Sequence, residues 1–220
     1  YSPVDSNGNR DWSIDEFLDK LESDAGTYWP TLNEAFPDLS QPSLREPLAQ
    51  FVGAMHLRNV AVFDLVKQTM VLRDRLYGGP NAEVLARKGP DGLDPTDPSR
   101  FFAQVLRTRV GPIAESFSRM TWSVLCTSAE AFVTSDQPVT FIQGGIGPKP
   151  GVVSAAVFPI SPRRVLYMDN RPSRGEGRYV EATSATVKGI NAAMFGRCRR
   201  FIITGRSAED VLGEIVQAPG

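Results

Sequence analysis

The sequence predicts an α+β fold: a helical N-terminal half with a long central helix, packed on an antiparallel sheet formed by the C-terminal half. Two observations carry this. Apolar residues recur at helical spacing from Ser13 to about Arg119, and beyond Met120 the pattern changes to short runs rich in β-branched and aromatic residues, separated by turn signals. At 220 residues the chain suits a single α+β domain, 1–120 mainly helical and 121–220 a sheet plus two helices.

The first helix is expected from "DWSIDEFLDKLESDAGTYW". Ser13 and Glu16 stand at capping-box spacing, and Ile14, Phe17, Leu18 and Leu21 share a face. Pro30 and Pro37 then bend or end it. From Leu44 through Met70 the residues Leu48, Phe51, Val52, Met55, Val62, Phe63 and Val66 keep the helical period, which predicts one central helix of about 45 Å, with Pro47 near its start. Gly78 and Gly79 should stop it. The Gly89 to Pro98 connection, rich in Pro, Gly and Asp, is expected to be disordered. A further amphipathic segment runs from Ser99 to about Arg119, and Pro112 inside it predicts a kink or two short helices.

Strands are expected at "WSVLCT", "AFVTS", "PVTFIQ", "SAAVFPIS" and "RRVLYMD", then at "RFIIT" after a helix from about Ser184 to Arg197. "GGIGPKPG" reads as a hairpin connection, since it lacks the order of residues in a phosphate-binding loop. Pro159 and Pro162 predict that their strand is an edge strand or ends there. Ser207, with Asp210 three residues on, caps the last helix.

Composition narrows the function classes. With 41% hydrophobic and 22% charged residues and no apolar run of about 18 to 20, no membrane span is expected. Cys126 and Cys198 are far apart and have no second cysteine nearby, so free thiols in a cytoplasmic protein are expected and neither a disulfide framework nor a zinc site. The net charge of −1 favours no particular partner. Between Arg163 and Arg206, however, ten basic residues stand against three acidic ones, which would draw an anionic ligand or nucleic acid if the arginines share a face; the alternative is a solvated surface with scattered arginines.

In "FVTSDQPVTF", Thr134, Ser135 and Asp136 meet at a strand end just before Pro138. One reading is a polar corner held by the Asp136 carboxylate. The other is a binding site for a polar ligand or a hard metal ion, although one carboxylate is too few for a metal and none is assigned. Ser135 lacks the surroundings of a nucleophile elbow. His56 is the single histidine of the chain and is expected to be a half-buried packing residue beside Arg58 and Asn59. At 100° per residue these three stand at about 0°, 200° and 300°, an arc of about 160°, and are not expected all to face one pocket. An ion pair between Arg58 and Asp136 is expected. Asn191 falls within the apolar stripe of Val187, Ile190, Met194 and Cys198, so its amide should bond backbone groups of the sheet near the Thr134 to Asp136 corner, with a ligand contact as the alternative. Arg163 and Arg164 flank the exit from the Pro159 strand.

The segments "AMHLRNVAVFD", "FVTSDQPVTF", "FPISPRRVLYM" and "INAAMFGRCRRFIITGRS" resemble, in order and spacing, the uncharacterised bacterial family named domain of unknown function 4238. Leu57, Arg58 and Asn59, followed by Val60 in place of proline, match the family's Leu-Arg-Xaa-Pro step, and Thr134 to Pro138 match its Thr-Ser-Asp-Xaa-Pro segment. The family's N-terminal His-Tyr-Val-Pro segment has no counterpart, which implies a truncated or divergent member. The resemblance brings no reaction and no cofactor. Two expectations therefore stand: a ligand-binding or regulatory module of unknown specificity, with Arg58, Thr134, Ser135, Asp136 and Asn191 as candidate binding residues and His56, Arg163 and Arg164 as secondary ones; or a metal-dependent, phosphate-directed hydrolase or nuclease-like enzyme using Asp136 with arginines.

Overall fold

The computed structural model describes Arg10 and residues 12–77, 98–143, 153–170 and 177–216. Its helices are α1 (Ser13–Gly26), α2 (Trp29–Glu34), α3 (Pro42–Leu57), α4 (Val60–Tyr77), α5 (Pro98–Ser118), α6 (Ser184–Arg197) and α7 (Ala208–Val216). The strands are β1 (Thr121–Cys126), β2 (Thr134–Ser135), β3 (Thr140–Gln143), β4 (Val153–Ser161), β5 (Arg164–Asp169), β6 (Arg178–Glu181) and β7 (Ile202–Ile203). Helices dominate the first half and strands the second, so the fold is α+β. Most of the connection from Gly89 to Pro98, the Gly78 and Gly79 stop and the "GGIGPKPG" loop lie outside the described residues.

The main sheet runs in the order β3-β4-β5-β1-β6, and β2 pairs with β7 separately. It is mixed rather than purely antiparallel: β6, a strand absent from the sequence reading, pairs in parallel with β1, placing Val124 beside Tyr179 and Cys126 beside Glu181. Alternation along the strands separates two cores. Trp122, Val124, Ala156, Phe158, Leu166 and Met168 turn toward a cluster shared with α2, α3 and α5. Val157 and Val165 turn the other way, toward Val187, Ile190 and Met194 of α6 and Val211 of α7. The sheet is thus covered on both faces. A third cluster, including Leu18, Leu57, Phe102 and Leu106, joins α1, α3, α4 and α5.

The single central helix expected from the periodicity is two helices. Asn59 makes the break: its Oδ1 accepts the Val62 amide at 2.9 Å and so caps α4, while its Nδ2 donates to the His56 carbonyl at the end of α3. The apolar period runs through the break because both helices face the same cluster. Pro112, by contrast, does not divide α5, which continues from Pro98 to Ser118 with the proline inside it. The capping box expected at α1 also does not form. Trp12 is the cap residue and makes no side-chain cap bond, and the Ser13 hydroxyl accepts from Arg107 of α5. Ser207 does cap α7, accepting the Asp210 amide at 3.2 Å.

Pro159 does not make β4 an edge, since β4 lies between β3 and β5. The β3 pairing covers β4 only as far as Val157, and the register with β5 shifts between Pro159 and Ser161. The missing proline donor therefore falls at a bulge and past the end of β3, where it breaks no ladder.

Arg45 locks the helical layer to the sheet. Only 8% exposed, it donates through Nε to the Ser118 carbonyl at 2.9 Å, through Nη1 to Leu39 at 3.2 Å and through Nη2 to Met120, with its guanidinium 4.6 Å from the Trp122 ring centre. A buried guanidinium must place its donors, and backbone carbonyls before α3 and at and just after the end of α5 receive them.

Candidate functional site

An open cleft of about 750 Å³ lies where the carboxyl ends of β1 and β6 meet the start of β5. Its walls come from Asn33, Glu34 and Phe36 of the α2 region, from Thr127, Ser128 and Glu130 after β1, from Ser161 to Arg163 in the β4–β5 turn, and from Val180 and Glu181 of β6. Cys126, Arg164 and Tyr179 also line it.

Strand register explains why these residues meet. Cys126 pairs with Arg164 on one side and Glu181 on the other, so all three project on the face that carries α2. Arg164 Nη1 donates to the Leu32 carbonyl at 2.6 Å and to that of Ala35, and its guanidinium lies 4.9 Å from the Phe36 ring centre and 5.9 Å from that of Tyr179. The Tyr179 hydroxyl donates to the Pro37 carbonyl at 2.8 Å, and its ring meets Phe36 edge to face at 4.9 Å. These contacts fix the α2 wall to the strand ends.

The electrostatics of the cleft follow from this arrangement. Burial pushes the Tyr179 hydroxyl up to about 12, with Cys126 and Asp38 adding to the rise and Arg164 opposing it, so it stays a neutral donor. Burial likewise raises the Cys126 thiol despite Arg164 beside it, which keeps it from acting as a thiolate nucleophile. Glu34, Glu130 and Glu181 line the cleft without a hydrogen-bonded or ion-paired side-chain partner among the described residues. Against them stand Arg163 and the already committed Arg164. The cleft carries an excess of negative charge.

The Thr134 to Asp136 corner lies elsewhere. Thr134 and Ser135 form β2, opposite Ile203 and Ile202. The Ser135 hydroxyl is buried and accepts the Gln137 amide at 3.1 Å. Asp136 does not meet Arg58. Its Oδ1 accepts the Arg199 amide at 3.1 Å, and Oδ2 is buried without a full hydrogen bond. Burial alone would raise this carboxyl. The Arg199 and Arg200 amides and, more loosely, the Cys198 thiol outweigh it and hold Asp136 below the usual carboxylate range. The carboxylate thus closes the turn between α6 and β7.

Arg58 is turned away because it stands at the end of α3, where the helix is broken, and pairs with Glu22 of α1 at 2.7 Å. His56 is half-buried against Phe141 and Phe117, with ring centres 4.9 and 6.4 Å away. Burial and then the Arg197 charge hold its pKa below the ordinary value. Asn191 is 1% exposed; its Oδ1 accepts the Val133 amide at 3.1 Å and its Nδ2 donates to the Ala131 carbonyl at 2.9 Å. It holds the segment leading into the corner.

Among the candidates read from sequence, Arg163 and Arg164 line the cleft, Asp136 and Asn191 brace the corner region, and His56 and Arg58 join neither group. Glu34, Cys126, Glu130, Tyr179 and Glu181 escaped sequence reasoning, because only the β1–β6 and β1–β5 pairings bring them together. Among the described residues no group of three His, Cys, Asp or Glu side chains is placed to hold a metal ion, and no helix is long and apolar enough to cross a membrane.

The molecule is therefore an α+β protein with an open, negatively biased cleft at its strand ends. The family described as "protein of unknown function (DUF4238)" matches residues 1–208, and the chain belongs to it. No curated protein and no solved structure matches the chain.

Proposed function

We propose that this chain is a ligand-binding or regulatory module whose cleft takes a small molecule bearing a positively charged nitrogen. The observation that carries this reading is the set of three glutamates, Glu34, Glu130 and Glu181, around a cleft of about 750 Å³ that is large enough for a small organic ligand. Arg164, Phe36 and Tyr179 supply a fixed wall, so little ordering would be needed on binding. The arrangement suits recognition better than turnover: Cys126 and Tyr179 are both held in their protonated forms. Asp136 spends its carboxylate on backbone amides, and among the described residues it belongs to no group of three side chains that could hold a metal ion, so the hydrolase reading finds no support there. The cytoplasm suits Cys126 and Cys198, which are both free thiols.

Thermal unfolding in the presence of agmatine, spermidine or choline, set against acetate and inorganic phosphate, tests the reading. A cation at about 100 times its dissociation constant should stabilise the fold by about 2.7 kcal/mol. Glu130→Gln and Glu181→Gln should remove that gain. The reading fails if none of the amines raises the unfolding temperature at millimolar concentration, or if the gain survives both substitutions.

A further inference from the structure

The arginines between 163 and 206 do not act as one surface. Arg164 donates to carbonyls in the cleft, and Arg206 pairs with Glu214 at 2.8 Å while donating to the Ala131 carbonyl at 3.2 Å. Arg197, Arg199 and Arg200 differ: all three are exposed, and their guanidinium groups have no hydrogen-bond or ion-pair partner among the described residues. They occupy the turn from α6 into β7. Asp136, the carboxylate braced against this turn, takes backbone amides and so leaves the three side chains unpaired.

Large apolar side chains flank the same turn. Phe195 is 42% exposed on the last turn of α6, Phe201 is 52% exposed just after Arg200, and Ile203 is 56% exposed on β7. Exposed phenylalanines cost solvation, and most of the described aromatic residues are at least half-buried. Here two of them stand within a run of seven residues, Phe195 to Phe201, that also holds three unpaired cations.

We infer that the Phe195 to Ile203 turn is a binding surface for single-stranded nucleic acid, separate from the cleft. The three guanidiniums meet backbone phosphates, and Phe195 and Phe201 offer ring faces on which bases stack. Flexible single strands expose both groups at once, whereas a duplex hides its base faces. An anionic membrane surface shares the attraction to arginine, but an interfacial anchor needs an apolar stripe along an exposed helix face. On α6 the residues Val187, Ile190 and Met194 are buried against the sheet, and the exposed positions before Phe195 are Ser184, Ala185, Thr186 and Gly189, none of them a large apolar residue. The geometry therefore favours the nucleic acid.

The test is fluorescence anisotropy of a labelled oligouridylate of about 12 nucleotides, a length within the usual range for one binding site. Three phosphate contacts predict a log–log salt slope of about −2, so affinity should fall about 15-fold between 50 and 200 mM salt. The double variant Arg199→Gln, Arg200→Gln should flatten the slope to about −0.7. Because the Asp136 brace uses main-chain amides, that variant should melt at the wild-type temperature. Phe201→Leu keeps an apolar side chain but removes the ring, and should weaken binding about fivefold or more. Binding with a slope near zero, equal affinity for a duplex of the same length, or an unchanged affinity in both variants would overturn the assignment. Sedimentation with phosphatidylserine vesicles, without oligonucleotide binding, would assign the turn to a membrane surface and equally overturn it.

Discussion

The carboxylate of Asp136 accepts the main-chain amide of Arg199 at 3.1 Å, joining the end of β2 to the turn that follows α6. The bond runs to the backbone of an arginine and not to its guanidinium, which separates the role of Asp136 from that of the arginine side chain. With its pKa held below the usual carboxylate value, Asp136 contributes stability that is present above the unfolded carboxyl pKa, near 4, and lost as pH falls through the lower folded value. Asp136→Asn should therefore show a shallower loss of stability than wild type below about pH 4, read by chemical denaturation across pH. Asp136→Ala, at neutral pH, should cost about 1 kcal/mol.

His56 should titrate with the same sign, in a higher pH range. Its folded pKa lies below the ordinary histidine value because burial and Arg197 disfavour the cation. The stability tied to the neutral ring is complete above the unfolded pKa of about 6.5 and is lost as pH falls from there toward the folded value. A His56→Leu variant should lack that slope. The chain contains a single histidine, so one imidazole resonance followed by NMR reports the pKa without assignment. A midpoint at or above 6.5 would contradict this burial.

Asn191 was legible in the sequence because a polar side chain on an apolar helical stripe must find partners. Asn191→Leu should cost about 1 to 3 kcal/mol, read as a fall in unfolding temperature or denaturant midpoint. The loss should fall mainly on the Val133 amide, since the Ala131 carbonyl keeps its bond from Arg206.

Arg45 should be the most sensitive position of the helical layer. Arg45→Met retains length but removes the donors to the carbonyls of Leu39, Ser118 and Met120, and should destabilise by about 3 kcal/mol. Arg45→Lys should recover little of it, because one ammonium cannot reproduce a planar fork aimed at three carbonyls. Equilibrium unfolding in urea distinguishes the three proteins.

At Gly53 the backbones of α3 and α5 pack tightly. A Cβ there would lie 3.3 Å from the Val110 carbonyl oxygen and 3.4 Å from the Ala114 amide nitrogen, both main-chain atoms that cannot swing aside. Gly53→Ala gains about 1 kcal/mol of helix propensity, so a neutral or lower stability, measured by thermal unfolding, would show that the helices were forced apart. A clear gain would mean that they yield freely.

The helical half and most strands could be read from periodicity, because burial there is set by residues close in sequence. The Arg58 to Asp136 pair could not be read correctly, since it assumed a helix continuing through Asn59; the cap at Asn59 ends α3 at Leu57 and leaves Arg58 beside Glu22. The cleft was harder still. Glu34, Cys126, Tyr179 and Glu181 carry no common motif, and β6 is a four-residue strand, Arg178–Glu181, with mostly exposed side chains and so no strong alternation. Arg163 was noticed for its charge, yet nothing local in the sequence puts it in the same cleft as Glu130 and Glu181.

The parallel pairing of β6 with β1 also sets when the cleft can come into being. Ser123 meets Arg178 only after β2, β3, β4 and β5 have been made and the chain has returned to the far side of β1. Such distant pairings close slowly, because the entropy of the intervening chain is lost before the contact repays it. During synthesis the helical layer and the antiparallel strands β1, β3, β4 and β5 have their partners first, and the β6 side of the cleft, with Tyr179 and Glu181, is added afterwards. A chain that stops short of β6 can contain most of the hydrophobic core and still lack the cleft wall that Tyr179, Val180 and Glu181 form.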